Sequence, residues 1–254
     1  MNLTGFYEEL FVFLLIFSRM SGLFIYAPIF SAMNVPNQTK VAFCGLFSYL
    51  VMLTGVVSLD GVSDPIIYLI IKETFYGIGL GYIAYTFTST FLTMGKLIDL
   101  KMGFGMANVV DPQNRMQVAL MGNFYYIFAL LIFLALDGHH LMLKAVYESY
   151  SYVGVGRFNF NELHMGIIVD AFIKAMEFGV TLSFPIILTT MLSDVLLGVL
   201  SKTIPQLNIF VVGMPLKILV GFVILIFATP IYFELTQNIY EYMEELLMRF
   251  MRLT

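Results

Sequence analysis

Apolar residues gather in six stretches, at 10–30, 41–59, 65–95, 116–136, 167–200 and 209–233, and nearly every one has a charge, a proline or a glycine cluster inside it. Arg19 interrupts the first, Lys72 and Glu73 the third, Asp170, Lys174, Glu177 and Asp194 the fifth, and Lys217 the sixth. A helix needs about 20 apolar residues to cross the hydrocarbon core of a bilayer. The runs at 41–59, 74–95 and 116–136 meet that requirement without interruption. A Lys, Arg or Asp facing lipid at the bilayer centre costs about 2.5–3.5 kcal/mol even on lenient scales. The pattern therefore predicts membrane helices whose charged positions face protein.

The stretch at 167–200 is too long for one span and holds Pro185 in its middle. Proline removes a backbone donor and bends a helix, so a helix broken near Pro185 is predicted. Asp170 and Lys174 stand four apart, with Glu177 three beyond the lysine, which puts an ion-pair row on one helical face. The row reads either as plain pairing or as part of a substrate or proton path. From Glu234 onward Leu235, Ile239, Tyr242, Leu246, Phe250 and Leu253 recur at helical spacing, with Glu241, Glu244 and Glu245 off that stripe. A terminal amphipathic helix is expected there, docked on a partner or lying solvated as a tail.

Composition sets the class. With 59% hydrophobic and 12% charged residues among 254, and a mean hydropathy of +0.88, the chain is far from the roughly 25% charge of a soluble domain. An all-α integral membrane protein is expected. The net charge of -4 is spread out, which excludes a nucleic-acid footprint and a polybasic lipid anchor. Lysines and arginines recur evenly, so the positive-inside rule sets no orientation. Cys44 is the single cysteine, which excludes an internal disulfide. The first ten residues carry Glu8 and Glu9 and no basic residue, so the first span is expected to stay as an uncleaved insertion signal.

Catalytic and metal chemistry find little support. Adjacent His139 and His140 do not share a helical face and no third ligand is evident near them, while His164 stands alone. Ser149 and Ser201 lack a credible base and oxyanion arrangement, and no cofactor is expected. Tyr26-Ala27-Pro28-Ile29 and Ser183-Phe184-Pro185-Ile186 share only an apolar-Pro-Ile step, too little to establish the inverted repeats of transporters.

Two segments carry sharper information. In the first, Gly103 and Gly105 permit backbone angles closed to other residues, so 102–110 is expected to leave helical geometry despite being apolar. Asp111 then reads as an N-cap and Pro112 as the first residue of the helix through 116–136. Non-helical backbone at membrane depth is tolerated only when buried in protein or lining a cavity. Such a loop is therefore either a pore or subunit contact, or a plain turn at the membrane surface. Met102, Phe104, Met106, Val109 and Val110 give it soft apolar surface suited to a seal. In the second segment Lys202, Gln206 and Asn208 are set between Pro205 and Pro215, or just ahead of them, as a turn between two helices.

Pro205-Gln206-Leu207-Asn208-Ile209-Phe210 closely resembles the Pro-Gln-x-Asn-x-Phe signature of the FliR family of flagellar type III export-gate proteins, and Asp99 to Phe104, ending in Asp111-Pro112, resembles that family's Asp-x-x-Met-Gly-Phe stretch. Arg19-Met20-Ser21-Gly22, Pro28-Ile29-Phe30 followed by Pro36, and Gly138-His139-His140 ahead of Ser149-Tyr150 agree with it. Lys101 replaces a usual glutamine, Lys202 a common arginine, and Val153 a usual proline. The resemblance covers nearly the whole chain and implies a non-enzymatic role. It implies one export-gate membrane domain over 1–254, with a FliP-like part at about 1–165 and a FliQ-like broken hairpin at about 166–254. The expected assembly is a helical hetero-oligomer with FliP and FliQ homologues, beside FlhA and FlhB homologues, in the bacterial inner membrane within the flagellar basal body. Unfolded flagellar proteins would be the cargo. Met102, Gly103, Phe104, Gly105, Met106, Val109, Val110 and Asp111 match the family's plug loop, and Arg19, Asp170, Lys174, Asp194, Lys202, Gln206, Asn208 and Lys217 are the expected polar packing positions. The competing reading is a secondary transporter binding a small solute at Asp170, Lys174 or Asp194.

Overall fold

A computed structural model describes residues 3–32, 34–57, 64–104, 119–204 and 209–253. Among them the chain is all helical: α1 (Leu3–Tyr26), α2 (Asn37–Leu53), α3 (Ile66–Met102), α4 (Leu120–Ala135), α5 (Gly138–Tyr152), α6 (Glu162–Thr203) and α7 (Ile209–Arg252). Four helices are long and apolar enough to cross a membrane, at Tyr7–Tyr26, Ile66–Met102, Glu162–Thr203 and Val211–Arg252. A fifth span arises if α4 and α5 are taken together across their bend.

The run at 41–59, expected as a clean span, does not form one. α2 stops at Leu53 after 17 residues, about 25 Å at 1.5 Å per residue. Thr54 Oγ1 donates to the Val51 carbonyl at 2.6 Å and Gly55 follows with φ 67°, a left-handed stop that satisfies helix-end carbonyls. Apolar content continued past the stop and masked it. The run at 116–136 is likewise shorter in its described part, since the helix there ends at Ala135.

The break expected at Pro185 is absent. α6 runs 42 residues through it, and α7 runs 44 residues through Pro215 and Pro230. Proline deletes one ladder bond, but the turns on either side keep theirs, and an apolar environment offers backbone groups no better partner. Hydroxyls in this part of α6 bond back to the helix itself, Ser183 donating to the Val180 carbonyl and Thr189 to the Pro185 carbonyl, both at 2.8 Å. Pro185 is also exposed. At 1.5 Å per residue, α6 and α7 are about 63 and 66 Å long, roughly twice the hydrocarbon thickness.

The chain forms two compact units interleaved along the sequence. One comprises Met1–Phe87, Phe133–Phe172 and Glu241–Thr254, with Leu15, Ile16, Leu23, Tyr76, Leu80 and Phe158 in its core. The C-terminal stripe belongs to this core. Leu246 and Phe250 are fully buried, and the Phe250 ring lies 5.4 Å from Tyr76 and 5.1 Å from His164. The expected docking on a partner is therefore corrected: the segment is the last part of α7 and packs on its own chain. Periodicity identified the sticky face without saying which surface receives it.

The other unit comprises Thr88–Ile132 and Ile173–Tyr240. Its core holds Phe91, Met94, Ile98, Met102, Met121, Leu182, Ile186 and Leu225.

Candidate functional site

Arg19 is the best-satisfied charge in the described part of the chain. It is fully buried on α1, where a lone cation would be prohibitive. Its Nε donates to Glu73 Oε2 of α3 at 2.5 Å, Nη1 to Ser149 Oγ of α5 at 2.7 Å, and Nη2 to the Val153 carbonyl at 3.3 Å. The Tyr76 and Tyr150 rings flank the guanidinium, 4.4 and 4.0 Å from it. Glu73 uses its second oxygen to accept from the Gly156 amide at 2.7 Å. Gly77 allows this closeness: a Cβ there would collide with the Arg19 carbonyl. The sequence gives no signal of Glu73, Ser149 and Val153 as Arg19's partners, since they lie 54 to 134 residues away. Ser149 also donates to the Val146 carbonyl at 2.6 Å, so its hydroxyl is committed to structure.

The segment matched to a plug loop is described at its two ends. Met102 is the last residue of α3 and fully buried, not the start of the loop as expected. Gly103 follows with φ 90°, the left-handed geometry that terminates helices at glycine. The Met102 side chain fills the space a Cβ on Gly221 of α7 would need, within 2.5–3.0 Å. The Phe104 ring meets Phe222 edge-on at 6.3 Å. At the far end, α4 begins at Leu120, and its Met121 and Gly122 amides donate to the two carboxylate oxygens of Asp99 at 2.9 and 3.1 Å. Asp99, buried on α3, thus caps the next helix and ties the last turns of α3 to the start of α4. Gly95 and Gly122 make the approach possible, since a Cβ on Gly95 would lie 2.5 Å from Gly122 Cα. Asp99 stands at the head of the family-like motif, but spacing alone does not reveal its capping role. Gly105, Met106, Val109, Val110 and Asp111, with the expected cap at Asp111-Pro112, lie outside the described residues.

The remaining polar positions find separate partners. Asp170 accepts from the Tyr242 hydroxyl at 2.7 Å, Lys174 bonds Glu177 at 2.8 Å, and Lys217 of α7 pairs with Asp194 of α6. Lys202 lies in the last turn of α6 instead of an interhelical turn, because the helix continues to Thr203. There its charge complements the helix dipole. Gln206 and Asn208 lie outside the described residues. Beside Phe222, a cavity of about 240 Å³ is lined by Met121, Phe124, Tyr125, Phe128, Leu225 and Tyr232 among others. No charged group lines it, so it offers nothing to an ionic solute.

The histidine pair differs from expectation. Asp137, just before α5 and two residues from His139, supplies a third potential ligand.

Against known proteins, residues 10–243 match the family model described as Bacterial export proteins, family 1. The chain is 36% identical over 233 residues to the flagellar biosynthetic protein FliR of Bacillus subtilis (strain 168), covering 90% of each chain. It is 27% identical to the FliR of Aquifex aeolicus (strain VF5), over 88% of this chain and 87% of that one. It is also 26% identical to the surface presentation of antigens protein SpaR of Shigella flexneri, over 93% and 94%. A family match and a 36% identity that both extend over most of the chain have one reading: the protein belongs to the bacterial export proteins, family 1.

Proposed function

We propose that this chain is a non-enzymatic subunit of a flagellar type III protein export gate in the bacterial inner membrane. With FliP and FliQ homologues it forms the channel that passes unfolded flagellar proteins, working beside FlhA and FlhB homologues. Residues 1–165 act as a FliP-like part and 166–254 as a FliQ-like hairpin. The observation that carries this reading is the similarity to FliR proteins along nearly the whole chain.

The physical features agree with such a role. α6 and α7 are about twice as long as a bilayer core is thick, and they expose Leu192, Val195, Leu219, Ile226 and Phe227 beside the Asp194–Lys217 pair. Lipid alone is a poor neighbour for that mixture of apolar and ionic surface, whereas sister subunits satisfy both. The solute-transporter alternative gains no support, because Asp170, Lys174 and Asp194 each have a different partner.

The loop at 103–111 serves as the seal. Asp99 holds the helices before and after it together, and Met102 at the end of α3 and Phe104 of the loop are anchored on α7. A hydrophobic constriction of methionine, phenylalanine and valine excludes ions by dewetting. Deleting 103–110 should leave assembly intact and make cells leak ions and small molecules, measured as membrane conductance. Unchanged conductance in the deletion strain contradicts the seal. An ion-tight strain that no longer exports would make the loop a cargo contact instead.

A further inference from the structure

Asp137 occupies the position before α5 where a carboxylate ordinarily caps the helix, yet its side chain makes no capping hydrogen bond. Its backbone is left-handed, φ 55°, a region few non-glycine residues enter. Its Oδ1 instead lies 3.0 Å from His140 Nδ1. Neighbours on a regular helix diverge by about 100°, but the His139 and His140 rings lie 4.0 Å apart between centroids, tilted by 36°. One ligating atom from each of Asp137, His139 and His140 lies within 4.8 Å of the other two. His139 Nδ1 is sealed from solvent and has no hydrogen-bond partner among the described residues, a condition native proteins rarely leave uncompensated.

We infer that Asp137, His139 and His140 form a binding site for a divalent transition-metal ion of the zinc class. Two imidazoles and a carboxylate are the donor set of open zinc sites, which keep a fourth position for water or another group. Magnesium and calcium favour oxygen shells and fit this set poorly. Metal-to-ligand bonds of about 2.0–2.1 Å in a tetrahedron put neighbouring ligand atoms roughly 3.3 Å apart. The present spread of up to 4.8 Å closes by side-chain rotation. Room for that rotation exists, since the Asp137 and His140 side chains are 74% and 69% exposed. The full charge of the carboxylate outweighs the partial positive charge at the start of α5. A bound ion would pin the turn at Leu136 and Asp137 to the first turn of α5.

The test uses the full-length protein without a polyhistidine tag, purified in detergent with whatever partners it retains. Zinc is titrated by calorimetry, and cobalt serves as a visible-absorption reporter that zinc should bleach. One equivalent of zinc should bind with micromolar affinity, and Asp137→Asn and His140→Ala should each weaken it about tenfold or more. Both positions are exposed, so helical circular dichroism should match the wild type. Should His139→Ala disturb folding, the exposed pair still carries the test. Substoichiometric zinc, or an affinity that survives Asp137→Asn together with His140→Ala, overturns the site.

Discussion

Arg19 and Glu73 show how one chain carries charges on helices apolar enough to cross a membrane without exposing them. Each is fully buried, and the pair is closed by Ser149, Val153 and Gly156. Breaking such a pair by neutralising one partner costs about 3–5 kcal/mol, because the other charge is left buried and alone. Glu73→Gln should therefore lower the thermal stability of the purified protein severely, and Arg19→Met combined with Glu73→Leu should recover much of the loss. Equal damage from the single and double changes would contradict the unpaired charge as the cause. Asp99 works on a smaller scale, accepting from two helix-start amides. Asp99→Ala should cost about 1–2 kcal/mol, as loss of a strong cap does, and should raise membrane conductance less than deletion of 103–110. A melting temperature and conductance both at wild-type level would dissociate Asp99 from the loop.

At the scale of helices, close contact is set by the absence of side chains. Gly77 meets the Arg19 backbone directly, whereas a methyl group added at Gly198 on α6 would meet nothing within 4 Å. Gly77→Ala should force α1 and α3 apart and cost about 1–3 kcal/mol or more. Gly198→Ala should be neutral or stabilise by up to about 1 kcal/mol. Thermal unfolding of the two variants side by side checks this, and equal behaviour would contradict the packing. These contrasts explain what could be read from sequence. The apolar runs gave the helices, and the embedded charges gave the expectation of positions turned toward protein; Arg19 finds its partners within its own chain. What failed was punctuation: Pro185 does not break α6, while Thr54 and Gly55 do end α2. A proline costs one bond within a helix that otherwise has no better partners, but a left-handed glycine redirects the chain. Likewise Asp99 owes its capping role to amides more than 20 residues away that the fold brings near, and one-dimensional spacing carries no trace of that.

For the whole molecule, the balance lies between surfaces the chain covers itself and those it leaves to others. It buries Arg19, Glu73 and the terminal stripe within its own core, and leaves the outer faces of α6 and α7 apolar and ion-paired. The proposed role as a gate subunit would give that uncovered surface its meaning as a contact face. The most direct test is purification of this chain from native membranes in mild detergent, with the accompanying polypeptides identified by mass spectrometry. FliP and FliQ homologues are the predicted companions. A stable, monodisperse bundle that carries lipid and no other polypeptide would contradict the account.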